Sequence, residues 1–317
     1  MTQQSLAQAR SVDPVLTEVA RGYHPSRNWI RTMLFPSVPV SARAGKILTF
    51  RPEDFQIYRT IRAPGSNTMR VQFGRGIADY ALTNHSLEGA VPVEVQEEAM
   101  AVPGIDEASR AISGVQTIMD LAAEKDAADL ARNIANYATG NSVTLTAGNR
   151  LGDSGVSAWS LFDTARHAIR SKTGFYPNLA VVPSAAMRKL KRDAELMDRI
   201  KYTGRDTPTI SMLQEWLEVP RIVEADGVFL NDDANMDAPA FQDIWGKDII
   251  LAYVDVTDMR GRGSPSYGYT YQLRGYPIVR QPYYGENEQT WYYQYTDSRK
   301  PVLVGSSAGY IIKDAVA

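Results

Sequence analysis

One long helical pattern governs how this chain can be arranged. Ala108, Ala111, Ile112, Val115, Ile118, Met119 and Ala122 recur on one helical face, and Ala127, Leu130, Ala131, Ile134 and Ala138 continue the stripe. The continuation is displaced by about one residue near Glu124–Asp126, which reads as a bend or a rotated burial surface. Asp106 is the expected N-cap, so the pattern predicts a helix over 106–138. At ~1.5 Å per residue such a helix spans roughly 50 Å, long for a compact domain. Glu124, Lys125, Asp126 and Asp129 exclude a membrane role for it, and the heptad fails at Asp126.

What precedes the helix is of a different kind. Residues 1–50 read as an irregular arm, broken at Pro14, Pro25, Pro36 and Pro39. Phe55, Ile57 and Ile61 then alternate with Gln56, Tyr58, Thr60 and Arg62, and Met69, Val71 and Phe73 alternate with Arg70 and Gln72. Ala63-Pro64-Gly65-Ser66-Asn67 between them is a turn signal, so a two-stranded hairpin is expected. A lone hairpin is marginal in water. Its apolar face requires a partner, in the body of this chain or in a neighbouring subunit.

Charge follows the same division. Residues 1–75 hold eleven basic groups and four acidic ones, whereas residues 76–139 hold three basic and eleven acidic. Opposite blocks of this size suit either one segment docking on the other or two separately solvated faces.

After the long helix the pattern alternates between types. Helices are expected over Ser157–Thr173 (stopped by Gly174), from Ser184 to Gly204, and from Thr207-Pro208 through Leu217. Leu179–Val182, Arg221–Ala225 and Ile249–Val254 read as strands, giving a mixed α/β region. Ten of the 22 tyrosines and tryptophans fall between 267 and 295. Tyr267, Tyr269 and Tyr271 alternate, as do Trp291, Tyr293 and Tyr295, which indicates strands; about half of these aromatics are expected in a core. Val302–Val304 and Tyr310–Ile312 close the chain as short strands.

Composition removes most chemistry. With no cysteine among 317 residues, disulfides, zinc–thiolate sites, iron–sulfur clusters and thiol catalysis are excluded. His24, His85 and His167 stand at no metal-ligand spacing. Asn231–Asp237 resembles a calcium loop superficially, but the required glycine falls on Ala238 and the bidentate glutamate on Ile244. Gly74-Arg75-Gly76 and Gly261-Arg262-Gly263 match neither a phosphate loop nor a dinucleotide fingerprint. No catalytic, cofactor or metal residue is assigned, and an enzyme is not expected. The formal net charge of −2 argues against a dedicated nucleic-acid binder. The polar N-terminal stretch and the lack of any long apolar run give the expectation of a soluble protein made in the cytoplasm.

The order of elements, arm, hairpin, acidic stretch, very long helix, α/β region and aromatic strands, resembles the major capsid proteins of tailed bacteriophages. Thr173-Gly174-Phe175-Tyr176-Pro177-Asn178-Leu179-Ala180-Val181-Val182-Pro183 looks like that family's lead into its axial domain, and Trp245-Gly246-Lys247-Asp248 like the approach to a later strand of it. The resemblance covers nearly the whole chain. It implies a mixed α+β chain with the Hong Kong 97-like capsid fold. The implied parts are an N-terminal arm (1–50), an extended hairpin loop (51–82) and a peripheral domain (83–177) with spine helix 106–138. An axial domain (178–255) and C-terminal strands returning to the peripheral domain (256–317) complete it.

The same resemblance implies an icosahedral shell of pentamers and hexamers around double-stranded DNA, assembled in the host cytoplasm and carried in the virion. The implied partners are copies of this chain, a scaffolding protein, a portal, a possible decoration protein and non-specifically held DNA, with no membrane. Some relatives fuse a scaffolding domain before the arm; here a separate scaffold is expected. Some link a loop lysine to a neighbour's asparagine, but no lysine occurs between Lys46 and Lys125, so a shell without such links is expected. The expected contact residues are Phe55, Ile57, Arg59, Ile61, Arg62, Met69, Arg70, Val71, Phe73 and Arg75. Glu94, Glu97, Glu98, Asp106 and Glu107 are the expected acidic surface opposite them. Rival readings are an encapsulin-like compartment, a cytosolic α/β enzyme and a virion tail component.

Overall fold

The computed structural model describes residues 29–49, 56–57, 60–62, 64–65, 67–68, 70, 76–100, 106–201, 208–231, 240–257 and 265–317. In chain order these form α1 (Ile30–Leu34), β1 (Ser37–Val40), β2 (Ala44–Thr49), β3 (Gly76–Ala81), β4 (Thr83–Pro92), α2 (Val93–Met100) and α3 (Glu107–Arg132). Next come β5 (Ser142–Thr144), α4 (Ala158–Thr173), β6 (Leu179–Pro183), α5 (Ser184–Leu190), α6 (Ala194–Ile200) and α7 (Ile210–Leu217). The remainder is β7 (Arg221–Ala225), β8 (Val228–Phe229), β9 (Gln242–Asp243), β10 (Ile249–Ala252), β11 (Gly268–Leu273), β12 (Ile278–Val279), β13 (Tyr283–Gly285), β14 (Thr290–Leu303) and β15 (Gly309–Lys313). The mixture of helix and strand agrees with the expected fold class.

A five-stranded sheet runs in the order β5-β15-β10-β6-β7. Its central strands are apolar throughout because both faces are covered. Ala180, Val182, Ile249, Leu251, Tyr310 and Ile312 pack with Phe162 and Ile169 of α4, Met187 of α5 and Leu213 of α7. The alternate residues Leu179, Val181, Ile250, Ala252 and Ile311 pack with α1, α3 and Trp245.

The second sheet is built on β14. Along one edge β14 pairs with β4, from Thr290 opposite Pro92 to Arg299 opposite Thr83. Along the other it meets β13, β12 and β11 in turn, and β1 adds in parallel to β11. The helix α3 lies over this sheet, burying Ile112, Val115 and Met119 against Val91, Val279, Tyr293 and Tyr295. The approach is close at Gly89, where an added Cβ would stand 3.2 Å from both Ala111 Cβ and Val115 Cγ2.

α3 is the expected long helix, with a different end and with Ile118 off its buried face. It begins as read, since Asp106 accepts from the Ala108 amide, but it ends at Arg132 rather than at 138. Asn133 leaves the helix with extended backbone and caps a short 3-10 turn, Ile134–Asn136. Asn136 Nδ2 and the Tyr137 hydroxyl then take the Leu130 and Ala131 carbonyls, satisfying the helix end. The buried stripe rotates, as its displacement in the sequence allowed: Ala123, Glu124, Ala127 and Ala128 are buried, whereas Ile118 is 58% exposed.

Other differences are local. The helix expected from Ser184 to Gly204 is two, because Asp193 starts a new one by capping Glu195; Ser184 is the first helical residue, not a cap. The helix expected from Thr207-Pro208 starts later, capped by Thr209. Arm residues 29–49 are not irregular but hold α1, β1 and β2. More of the alternating aromatics are core than expected: Tyr267, Tyr269, Tyr271, Tyr293 and Tyr295 are all buried. The closing strand β15 lies between β5 and β10 in the five-stranded sheet. Of the Asn231–Asp237 stretch, all but Asn231 lies outside the described residues. Among the described residues no group of His, Asp or Glu side chains is placed to hold a metal ion.

Candidate interface

The paired strands described in this region are not the expected hairpin over 55–73 but a stem at the foot of the loop. β2 and β3 pair antiparallel from Ala44 opposite Ala81 to Thr49 opposite Gly76. This stem is fixed to the body through Tyr80, whose ring stacks on Tyr271 at 5.0 Å and whose hydroxyl donates to the Ala42 carbonyl. Ile47 and Tyr80 share a core with Val38, Tyr269, Tyr271 and Val304. Gly45 is required beneath that ring, since a Cβ there would stand 2.9 Å from Tyr80 Cε1. Arg43, at the foot of the stem, donates to Ser298 Oγ and the Tyr276 hydroxyl. The signal in the sequence was Tyr80 between Ala78 and Leu82, an alternation too short to stand out.

Beyond the stem, Ile57 is 96% exposed and Ile61 84%. Arg62 and Arg70 are exposed as well, and Pro64–Gly65 is a turn with Gly65 at φ +83°. Phe55, Arg59, Met69, Val71, Phe73 and Arg75 lie outside the described residues. The described residues between 56 and 70 form no strand. Full burial of two isoleucines contributes on the order of 4 kcal/mol before ordering costs. Exposing them in a free chain is therefore a feature that requires an explanation.

The acidic residues divide into two groups. Asp106 caps α3 and also accepts from the Ser109 hydroxyl, while Glu107 pairs with Arg110 at 3.1 Å. Both serve their own helix. Glu94, Glu97 and Glu98 are exposed on α2 and make no ion pair among the described residues. Two acids that sequence reading missed join them. The Val93 amide donates to the Gln289 carbonyl, which places the Glu286–Gln289 turn, with Glu286 and Glu288, beside the start of α2. Glu88 on β4 accepts from the Tyr283 hydroxyl nearby. This end of the sheet is strongly acidic because α2 and the β13–β14 turn meet there, a proximity of residues almost 200 positions apart.

A buried charge cluster fixes the arm to the long helix. Glu124 is 2% exposed; its carboxylate accepts from the Ile30 and Arg31 amides and from Trp245 Nε1, at 2.8–3.1 Å. It thus caps α1 and ties it to the five-stranded sheet. Arg31 pairs with Asp120 at 2.6 Å, and Arg299 with Asp297 at 2.7 Å while also reaching the Met119 carbonyl. Burial pushes the Glu124 and Asp120 carboxyls up and the Arg31 guanidinium down from their ordinary ranges. The displaced stripe at Glu124–Asp126 was the trace of this in the sequence.

No family model matches the sequence. Over 312 residues the chain is 34% identical to the major capsid protein of Burkholderia phage BcepMu, covering 97% of each. It is 39% identical to a phage-related protein of Bordetella bronchiseptica RB50 whose crystal structure superposes with a TM-score of 0.80, covering 97% of this chain and 98% of that one. The capsid of cyanophage P-SCSP1u, at 12% identity, covers 92% of this chain and 90% of its own with a TM-score of 0.55, which shows a common fold.

Proposed function

The chain belongs to the phage major capsid proteins, with the Hong Kong 97-like fold, and from that premise we propose that its copies close into an icosahedral shell of pentamers and hexamers held together at the loop. It is a structural protein of the virion, assembled from copies of itself. The observation that carries this reading is identity to a capsid protein running the whole length of both chains. The loop supplies the contact: Ile57 and Ile61, with Phe55, Met69, Val71 and Phe73, gain an apolar partner only on assembly. Many such contacts, each weak, give a stable shell that still corrects errors while forming.

Arg59, Arg62, Arg70 and Arg75 on the loop face the acidic surface of a neighbour. Glu94, Glu97 and Glu98 are its first members, extended by Glu286 and Glu288. Asp106 and Glu107 contribute less, being engaged in their own helix. Exposed pairs of this kind set register and partner choice more than affinity. A separate scaffolding protein, a portal, a decoration protein and packaged double-stranded DNA are the further partners proposed. The compartment reading has the shared fold in its favour, but the 34% identity is to a phage capsid.

Negative-stain electron microscopy of the purified chain, expressed with and without its genomic neighbours, tests the proposal. Closed icosahedral shells that need a co-expressed scaffold are expected. Shells formed alone around a cargo protein would favour the compartment, and a uniform small oligomer under every condition would overturn both.

A further inference from the structure

A basic cavity of about 440 Å³ opens between α5, the turn at Gly152 and the chain beyond β15. One wall carries Arg188, Lys189 and Arg192. The rest is small or apolar, Gly152, Val316 and Ala317 among it, and no acidic side chain lines it. Backbone bonds fasten the walls. The Leu151 amide donates to the Ala315 carbonyl at 2.9 Å, and the Ala315 amide to the Lys247 carbonyl at 3.0 Å.

The molecule does not neutralise these three cations. All three are exposed, and among the described residues none forms an ion pair, with Ala317 or with any acid. Nearby in sequence, Asp193 caps α6 at the Glu195 amide, Asp153 accepts from the Arg150 amide, and Glu224 lies 3.8 Å from Lys191 instead. Nor does the end of α5 require them. Its Met187, Lys189 and Leu190 carbonyls accept from the Lys191, Arg192 and Asp193 amides. Lys189 is held in the wall by Gly152, at φ +88°, where an added Cβ would stand 2.8 Å from Lys189 Cδ and 3.2 Å from its Nζ. So much uncompensated positive charge at one spot stands out in a chain of formal net charge −2.

We propose that this cavity binds phosphate groups. Arg188 and Arg192 offer two planar forks that match phosphate oxygens, and the Lys189 ammonium adds a point charge between them in sequence. The volume falls within the range of small-ligand sites, about 300–1,000 Å³. It therefore accommodates a free polyphosphate or a short stretch of a DNA strand's backbone. Phosphate is favoured over the carboxylates of an acidic peptide because each group presents more acceptor oxygens to the forks. Its DNA form rests on the capsid reading and gives the packaged genome a defined point of contact.

Titration of the purified, unassembled full chain with tripolyphosphate and with duplex DNA, over a series of salt concentrations, tests this. The variant Arg188→Gln, Lys189→Gln, Arg192→Gln is compared with Arg221→Gln, Arg274→Gln, Lys300→Gln, which removes the same charge elsewhere. All six side chains are exposed, so both variants should unfold at the wild-type temperature. Binding should weaken about tenfold or more in the cavity variant and less than about twofold in the control. For DNA, the slope of log affinity against log salt should also fall by about 0.9 for each cation that meets a phosphate. Loss for tripolyphosphate alone identifies a free phosphate compound as the occupant, and loss for DNA identifies its backbone. Equal losses in the two variants, no loss, or no binding of either ligand would overturn the inference. Tighter binding of polyglutamate through the same three cations would overturn it too. Shell formation is read separately by electron microscopy, so failure here leaves the capsid reading standing.

Discussion

Glu124 fastens two distant segments of the fold to the long helix. It accepts three buried donors from two distant segments, the start of α1 and Trp245. Replacing it with alanine strands those donors and should cost about 3 kcal/mol in urea unfolding of the free subunit. Its titration gives a second expectation. Burial raises the Glu124 and Asp120 carboxyls, so the folded chain binds protons there where the unfolded chain has released them. Stability from these groups is fully present below the unfolded carboxylate range and is lost as pH rises through their raised folded values. Measured from pH 8 down toward the carboxylate range, wild type should gain stability relative to Glu124→Gln; a flat difference, or a loss on acidification, contradicts the assignment.

At the scale of elements, the stem fixes the loop to the body of the molecule. Tyr80→Ala removes the ring stacked on Tyr271 and should cost about 3 kcal/mol locally. Hydrogen exchange should quicken in β2 and β3 while β6 and β10 keep their protection; equal quickening everywhere would mean that the stem is not a separate unit. The elements also show what a sequence can declare. α3, α4, β6, β7 and β10 were legible because periodicity and caps are local, as Asp106, Ser157 and Gly174 show. The stem was not, because its partners β2 and β3 are separated by the whole loop, and register across such a gap leaves no local trace. The sheet that receives β15 was not legible for the same reason: a strand pattern says nothing of which sheet takes it. The acidic end of the β4–β14 sheet was half legible, since α2 is contiguous but Glu286 and Glu288 arrive through tertiary pairing. Trp245-Gly246-Lys247-Asp248 was read only as a family-like phrase. In the fold it is a fastening, with Trp245 on Glu124 and Asp248 on Arg132 at 2.8 Å. Gly246 there, at φ +56°, leaves room for the Arg132 guanidinium.

For the whole molecule, the uneven charge predicts how assembly responds to salt. Contacts between the loop arginines and the acidic end should weaken as ionic strength rises past the point where the screening length is ~10 Å or less. Assembly yield, followed by light scattering, should fall with added salt for wild type. Charge reversal at Arg59 and Arg62 together should lower the yield at low salt and remove most of that dependence. Unchanged yield and unchanged salt response would exclude the ionic part of the contact. Among the described residues no helix is long and apolar enough to cross a membrane, and the long helix is occupied on its buried face by the molecule's own sheets.

In the proposed shell the exposed apolar loop joins one copy to the next. Sedimentation velocity of the double variant Ile57→Ser, Ile61→Ser, under conditions in which wild type closes into shells, tests it most directly. Both side chains are exposed in the free subunit. The variant should therefore unfold at the wild-type temperature and remain as small species. Shells formed in wild-type yield by a variant of unaltered stability would rule out Ile57 and Ile61 as the joint between copies.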